Sequence, residues 1–272
     1  MKKERADRLL VDRGLAETRH KAQALIMAGR VALGPGGPRV GKAGQLVAVD
    51  APLVVETPMP FVGRGGLKLD AALDAFGVDV AGRVCADIGS STGGFTDCFL
   101  KRGAARVYAV DVDIRQLDAR LRRDPRVVTV EKNARHLEPS DFGGERPAVA
   151  AVDVSFISVT KILPAVRDCM GGAGPWPDPA AVVLVLVKPQ FEAGRGRVGR
   201  KGVVRDPEIQ AAVLERIVRE AGVLGLRLRG LHRAAVRGQK GNQEYFARFG
   251  LEGLHPSPAD VLKWTAEVTR PS

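Results

Sequence analysis

Apolar residues follow two different patterns along this chain, and the change falls near residue 60. In the first part, apolar positions are spaced as on a helix over residues 5–11 and again over 18–26. Two short apolar segments follow, at 31–33 and 46–49. This pattern predicts a small α+β module at the start of the chain.

Beyond residue 60 the apolar runs are longer and alternate with helical stretches. Helical patterns cover residues 95–102 and 157–169, and two late segments, 226–236 and 245–251, predict an antiparallel pair at one edge. A further short helix is expected at 258–268. The pattern therefore predicts an α/β domain with a doubly wound, mostly parallel Rossmann-like sheet. Five apolar runs have the length of buried parallel strands: 84–88, 107–111, 127–130, 149–154 and 182–187.

Two prolines separate the two patterns. Pro58 and Pro60 interrupt any regular element between them. We therefore predict a first domain at residues 1–56, a linker at 57–61 and a second domain at 62–272.

Composition narrows the class of protein. The chain has 272 residues, of which 45% are hydrophobic, and this is enough for a substantial core. Cys85, Cys98 and Cys169 show no C-x-x-C spacing, which argues against a disulfide framework or a zinc site. No apolar run approaches the length of a signal peptide core or a membrane span. We expect a cytoplasmic protein that binds neither membrane nor metal.

The charge balance points to a polyanionic partner. Lysine and arginine exceed aspartate and glutamate by 11, which favours encounter with nucleic acid. Only 5% of residues are aromatic, so phosphate contacts should outweigh base stacking.

A glycine-rich turn follows the first strand of the second domain. Gly89, Gly93 and Gly94 join that strand to a helix, without the dinucleotide fingerprint or the triphosphate loop. Asp87 and Asp111 end two neighbouring strands, where an acid commonly accepts hydrogen bonds from a ribose. A ligand with a ribose and no pyrophosphate fits this pattern best, and we expect S-adenosylmethionine. A tight turn without a ligand is the alternative.

Basic residues lie on or beside the two helices of the first domain. Residues 7–31 resemble the S4 RNA-binding domain, with Thr18-Arg19 where that family usually has Ser-Arg. The resemblance implies an RNA-binding surface, and a solvated helix face is the alternative. The candidate RNA contacts are Arg8, Arg13, Arg19, Lys21 and Arg30.

Four charged residues lie where the strand ends of the second domain should meet. Asp153 and Lys188 follow the fourth and fifth strands, Glu244 precedes the last strand, and Lys68 opens the domain. A ribose 2′-hydroxyl is a poor acid, and a lysine with a second cation close by can take its proton. The four residues resemble the Lys-Asp-Lys-Glu tetrad of FtsJ-like RNA ribose 2′-O-methyltransferases.

With the S4-like module, the chain resembles the TlyA family of ribosomal RNA cytidine-2′-O-methyltransferases, often labelled haemolysins. The resemblance implies that Lys68, Asp153, Lys188 and Glu244 are catalytic, with Lys188 accepting the proton. It also implies ribosomal RNA as partner, with Arg64, Arg195 and Arg197 as further RNA contacts. The implied S-adenosylmethionine contacts are Asp87, Gly89, Ser91, Gly93, Gly94, Asp111, Asn133 and Ala134.

Other functions remain open at this point. An S4-domain protein that binds RNA or assists ribosome assembly without catalysis would need the basic surface but neither Lys68 nor Lys188. A methyltransferase acting on amino groups would need a polar-Pro-Pro-aromatic motif, where this chain has Asp153-Val-Ser-Phe156. A pseudouridine synthase would not explain the glycine-rich turn. If the haemolysin label applies, we expect its effect to be indirect, since no amphipathic lytic helix is visible.

Overall fold

The computed structural model describes residues 2–56, 59–170, 180–194, 196–199 and 201–270. The chain divides into two compact units, Met1–Met59 and Pro60–Ser272. Arg195 among the predicted RNA contacts, and Thr57 and Pro58 of the predicted linker, lie outside the described residues.

The first unit contains the two predicted helices and two pairs of short strands. Its elements are β1 (Lys3–Arg5), α1 (Ala6–Asp12), α2 (Arg19–Met27), β2 (Val31–Leu33), β3 (Leu46–Ala48) and β4 (Leu53–Val55). β1 pairs with β3 and β2 with β4, both antiparallel. Thr18 caps α2 by accepting a hydrogen bond from the Lys21 amide, as its position before the helix suggests. β1 and β4 were not predicted, because three residues are too few for a strand pattern to show.

The second unit is built on one seven-stranded sheet. Its strands are β5 (Val84–Ile88), β6 (Arg106–Asp111), β7 (Val127–Glu131), β8 (Val149–Val152), β9 (Val182–Val187), β10 (Arg227–Arg233) and β11 (Tyr245–Gly250). The order is β10-β11-β9-β8-β5-β6-β7. β5 to β9 run parallel, and β11 runs antiparallel to both β9 and β10. The predicted doubly wound sheet with an antiparallel edge pair is confirmed.

Helices cover both faces of this sheet. They are α3 (Arg64–Phe76), α4 (Gly94–Lys101), α5 (Ala119–Arg122), α6 (Leu163–Cys169), α7 (Pro189–Glu192), α8 (Pro207–Val223) and α9 (Pro258–Thr269). The helical stretch predicted at 157–169 is present but divided in two. A 3₁₀ helix at Val159–Lys161 comes first, and α6 begins at Leu163. Pro164 explains the break, because its missing amide hydrogen suits the first turn of a helix and not the interior.

Alternate residues of β9 enter two hydrophobic cores. Val183 and Val185 pack in a core that includes Leu214 of α8, on one face of the sheet. Leu184 packs on the other face in a core that includes Phe99 of α4. A strand buried on both faces reads as a continuous apolar run, which is why β9 was visible in the sequence.

The topology creates a crevice at one edge of the sheet. β5 lies between β6 and β8, so the chain leaves β5 and β8 toward opposite sides. Ligands of open α/β sheets bind at such a point, outside the carboxyl ends of the strands. Across the described ranges, no helix combines the length and apolar character that crossing a membrane requires.

Candidate active site

The turn between β5 and α4 forms the floor of a cleft at this edge. Gly89 and Gly93 both have positive φ, at 90° and 95°. A Cβ at Gly89 would overlap the carbonyl oxygen of Asp153, and one at Gly93 would overlap the side chain of Leu121. Only glycine fits both positions, because each combines a positive φ with close packing of the turn against neighbouring residues.

Asp87 stabilises this turn from inside. Its Oδ2 accepts hydrogen bonds from the amide and the hydroxyl of Thr96, at 2.8 and 2.6 Å. Its Oδ1 is buried and has no hydrogen-bond partner. Burial raises the pKa of Asp87 to about 7, and the nearby carboxylates of Asp153 and Asp111 add to the effect. A cationic ligand group at Oδ1 would offset the free-energy cost of burying the ionised carboxylate.

Asp111 lies at the tip of β6, as predicted. Its Oδ2 accepts from the amide of Ser91 at 2.8 Å, and its Oδ1 accepts from the amide of Asp113 at 3.1 Å. Asn133 uses its side-chain oxygen to cap the 3₁₀ helix Ala134–His136. All four predicted cofactor positions in this region, Ser91, Asp111, Asn133 and Ala134, line one cleft, which has apolar walls at Val112, Ile157 and Ile162.

A second cleft shares four residues with the first, namely Gly89, Ser91, Asp153 and Ser155. It brings together all four residues of the predicted catalytic tetrad. Lys68 and Glu244 form one pair: Nζ lies 2.6 Å from Oε2, and both side chains are buried. The close crossing of α3 over α4 places Lys68, because a Cβ on Gly94 would press against the backbone of Gly66.

Lys188 and Asp153 form the other pair. Lys188 Nζ lies 2.5 Å from Asp153 Oδ1 and donates a hydrogen bond of 2.9 Å to the Ser155 hydroxyl. Asp153 Oδ1 itself makes no aligned hydrogen bond, so its contact with Lys188 is an ion pair only. Each lysine of the tetrad therefore has one carboxylate partner.

The sequence analysis missed three residues around the tetrad. Gln190 donates from Nε2 to Glu244 Oε1 at 3.1 Å, and Ser155 holds Lys188. Gly238 lies against Glu244 so closely that a Cβ there would overlap the carboxylate. Gln190 and Ser155 stand beside predicted residues in the chain, which was the available signal, whereas nothing in the local sequence marks Gly238.

Unsatisfied polar atoms concentrate at this cleft. In the part of the chain that the structure describes, six buried side-chain nitrogen or oxygen atoms have no hydrogen-bond partner. Four of them belong to residues that line the second cleft: Asp87, Ser90, Asp153 and Gln190. Because buried polar groups are normally paired, this concentration indicates a site completed by a ligand. No three or more acidic, histidine or cysteine side chains among the described residues are grouped to hold a metal ion.

The predicted RNA contacts are placed differently in the two units. Arg64 lines the second cleft, and Arg197 is exposed in the segment after α7. The five of the first unit are partly engaged within that unit. Arg8 lies near Glu4 and Asp12, Arg13 binds the carbonyls of Val49 and Ala51, Arg19 pairs with Asp7, Lys21 with Glu17, and Arg30 binds the carbonyl of Glu56.

The sheet order and the cleft define a Rossmann-like methyltransferase, and comparison with known proteins agrees. A family model described as FtsJ-like methyltransferase matches residues 61–251. YqxC of Bacillus subtilis, provisionally named an rRNA methyltransferase, is 48% identical over 98% of this chain and 94% of its own length. TlyA of Mycobacterium tuberculosis, named a 16S/23S rRNA (cytidine-2′-O)-methyltransferase, is 45% identical over 89% of this chain and 88% of its own.

A solved structure matches almost the whole chain. It is a Streptococcus thermophilus protein provisionally named a hemolysin, with a TM-score of 0.72 and 39% identity over 98% of this chain and 96% of its own. The chain belongs to the FtsJ-like methyltransferase family. The resemblance to its TlyA members, expected from the sequence, is confirmed.

Proposed function

We propose that this chain transfers a methyl group from S-adenosylmethionine to the 2′-hydroxyl of a cytidine in ribosomal RNA. One observation carries the proposal. Two lysine–carboxylate pairs, the buried Lys68–Glu244 and the partly buried Lys188–Asp153, meet at a cleft that also contains the unpaired carboxylate oxygen of Asp87.

The residues of the two clefts fit the cofactor. Asp87 Oδ1 would accept hydrogen bonds from the ammonium group of the methionine part, and Gly89, Ser91 and Gly94, which line the second cleft, would lie beside it, with Gly93 shaping the turn between them. Asp111 would bind the ribose hydroxyls, and the cleft beside Asn133 and Ala134, with its apolar walls, would hold the adenine. When bound, S-adenosylmethionine supplies an electrophilic methyl group.

Lys188 would accept the proton of the attacking hydroxyl from its neutral amine form, after the proton of its ammonium form has been released to solvent. Ser155 holds its Nζ at 2.9 Å, and Asp153 would pair with the ammonium group that forms again. Lys68 would orient the hydroxyl oxygen, since Glu244 holds its Nζ in place and Gln190 in turn donates to Glu244. Positioning supplies much of the rate in a displacement of this kind.

Two further observations support RNA as substrate. The net charge of +11 favours a polyanion. The first unit would act as an S4-like RNA-binding domain, with the helices that the resemblance implies in place. The cytidine and the ribosomal RNA are proposed from the activity for which the Mycobacterium tuberculosis relative is named. We expect the protein to act in the cytoplasm.

Replacement of Lys188 separates this proposal from RNA binding without catalysis. We expect Lys188→Ala to reduce methyl transfer by about 10²–10⁴-fold, because the hydroxyl loses its proton acceptor. RNA affinity should stay within about twofold, because Lys188 is largely buried and already paired with Asp153, and other cations would meet the RNA backbone. The measurements are tritium transfer from labelled S-adenosylmethionine to ribosomal subunits and RNA binding by filter retention.

Lys263→Ala is the matched control, since it removes an exposed lysine from α9. Full transfer by Lys188→Ala would contradict the assignment of the proton acceptor. Wild-type protein that binds RNA with no transfer would favour the binding-only function.

A further inference from the structure

One cation at the cleft differs from the others in its pairing. Lys68, Lys188 and Lys132 line the two clefts, and each has a carboxylate partner: Glu244, Asp153 and Asp141. Arg64 lines the cleft as well, but no described carboxylate pairs with it. Its guanidinium donates one hydrogen bond, of 2.7 Å, to the carbonyl of Arg237. The charge of Arg64 is therefore not compensated.

The loop between β10 and β11 carries two more exposed cations, Arg237 and Lys240. The carbonyl of Arg237 accepts from Arg64, and the Lys240 side chain lies near Gly202. Gly238 lies in contact with the Glu244 carboxylate, and its amide donates to the Asn242 carbonyl at 2.8 Å. Arg237 and Lys240, on either side in this loop, are exposed, and neither is ion-paired with a residue in the described ranges. Lys240 also has a positive φ of 56°, a conformation that costs a non-glycine residue free energy.

We propose that Arg64, Arg237 and Lys240, here called the rim cluster, bind the phosphodiester on the 3′ side of the ribose that is methylated. The proposal rests on the proposed function and adds the part of the substrate that these residues contact. In RNA the 2′-hydroxyl is attached to C2′ of the ribose, and the neighbouring carbon, C3′, carries the 3′-phosphate. A phosphate must therefore lie beside the reacting oxygen, whichever base the nucleotide carries.

The chemistry of the rim cluster suits this ligand. A guanidinium group binds phosphate oxygens through two parallel hydrogen bonds, and lysine adds a point charge. The carbonyl of Arg237 holds Arg64 through one nitrogen, which leaves its other donors available. Binding of this kind recognises a polynucleotide strand and reads no base.

Exposed members of the rim cluster allow a test that spares the fold. We expect Arg237→Ala and Lys240→Ala each to raise the KM for ribosomal subunits by up to about tenfold. The double variant should raise this KM further. The turnover number and the affinity for S-adenosylmethionine should not change. The plot of log affinity against log salt should become shallower by about 0.7 for each lost contact.

Two controls accompany these variants. Arg237→Lys should recover part of the RNA affinity because it keeps the charge, and Lys263→Ala should behave as wild type. Affinity and salt dependence are measured without S-adenosylmethionine, so they test the rim cluster even where no methyl is transferred. Unchanged affinity and an unchanged salt slope in the double variant would overturn the proposal, whereas absent transfer by the wild-type protein would count against the proposed function alone.

Discussion

Asp87 shows how the site is prepared for its ligand. The carboxyl group is fully enclosed, yet only one of its oxygens is hydrogen-bonded, by Thr96. The other oxygen, Oδ1, is buried without a partner, and this lowers the stability of the free protein. Under the proposed function the ammonium group of the cofactor would bind Oδ1, so stability and ligand binding would oppose each other at this residue.

Asp87→Asn should change how the free energy of unfolding depends on pH. Burial raises the pKa of Asp87 from an ordinary value near 3.8 to about 7. The folded state thus keeps a proton that the unfolded state has released, and wild-type stability should fall as the pH rises from about 4 to about 7. Asp87→Asn lacks this titration, so its stability relative to wild type should rise over the same window, measured by denaturant unfolding.

Cofactor affinity should move in the opposite direction. Wild-type affinity for S-adenosylmethionine should increase as the pH rises toward 7, because ionised Asp87 attracts the ammonium group. Asp87→Asn should bind about tenfold to a hundredfold more weakly at pH 7.5. Calorimetry measures both variants, and equal affinity of the two would show that Asp87 does not contact the cofactor.

Sequence reasoning located residues at strand ends better than residues that reach them from elsewhere. Parallel strands have their carboxyl ends at one edge of the sheet whatever the details of packing. Asp87 and Asp111 lie in the last residues of such strands, and Asp153 and Lys188 come directly after them. Gln190 contacts Glu244 across 54 positions, and this contact depends on how α7 packs beside β11. Such a contact follows from tertiary structure and has no local signature.

At the scale of elements, the loop between β10 and β11 is hydrogen-bonded to the segment that joins α7 to α8. Asn242 donates to the carbonyl of Gly202 and accepts from the amide of Val204. Gln210 donates to the carbonyl of Val204 and accepts from the Tyr245 hydroxyl at 2.5 Å. These hydrogen bonds hold the end of the segment between α7 and α8 against β11, the strand that directly follows Glu244.

Gly238→Ala should displace the carboxylate of Glu244, which the proposed function places beside the reacting hydroxyl. The added methyl group would overlap Glu244, which must then leave Lys68 and Gln190. We expect turnover to fall by about a hundredfold, as for other small misplacements of reacting groups, with stability lowered by about 1–3 kcal/mol. Single-turnover kinetics and thermal unfolding measure the two effects.

Gly41→Ala is the control, because a Cβ there meets only the end of Gln45 at 4.0 Å. Glu244→Gln should reproduce the loss of turnover without the added volume. If Gly238→Ala turned over like wild type, the position of Glu244 would not matter for the reaction.

Elements were predicted as well as their length and apolar character allowed. The six-residue run of β9 is apolar throughout, and its bounds agree with the prediction. β1 and β4 have three residues each, and their pairing with distant strands defines them. The helical stretch predicted at 157–169 is divided before α6, because Pro164 is suited to the first turn of a helix and not to its interior.

Across the whole molecule, some of the lysines and arginines are neutralised by ion pairs and others are left to bind a polyanion. Around α5 three arginines each pair with the aspartate two positions before them: Asp113–Arg115, Asp118–Arg120 and Asp124–Arg126. Such exposed pairs add little stability, but they neutralise their part of the surface. Composition predicted a basic protein. Only the structure shows that Arg64, Arg237 and Lys240 have no ion-pair partner among the described residues.

Methyl transfer to ribosomal RNA tests the account most directly. The purified protein is incubated with tritiated S-adenosylmethionine and with each ribosomal subunit, and the labelled nucleotide is identified by nuclease digestion and mass spectrometry. The account predicts 2′-O-methylcytidine in at least one subunit and its loss in Lys188→Ala. Label on a base, or none on either subunit despite RNA binding, would contradict it.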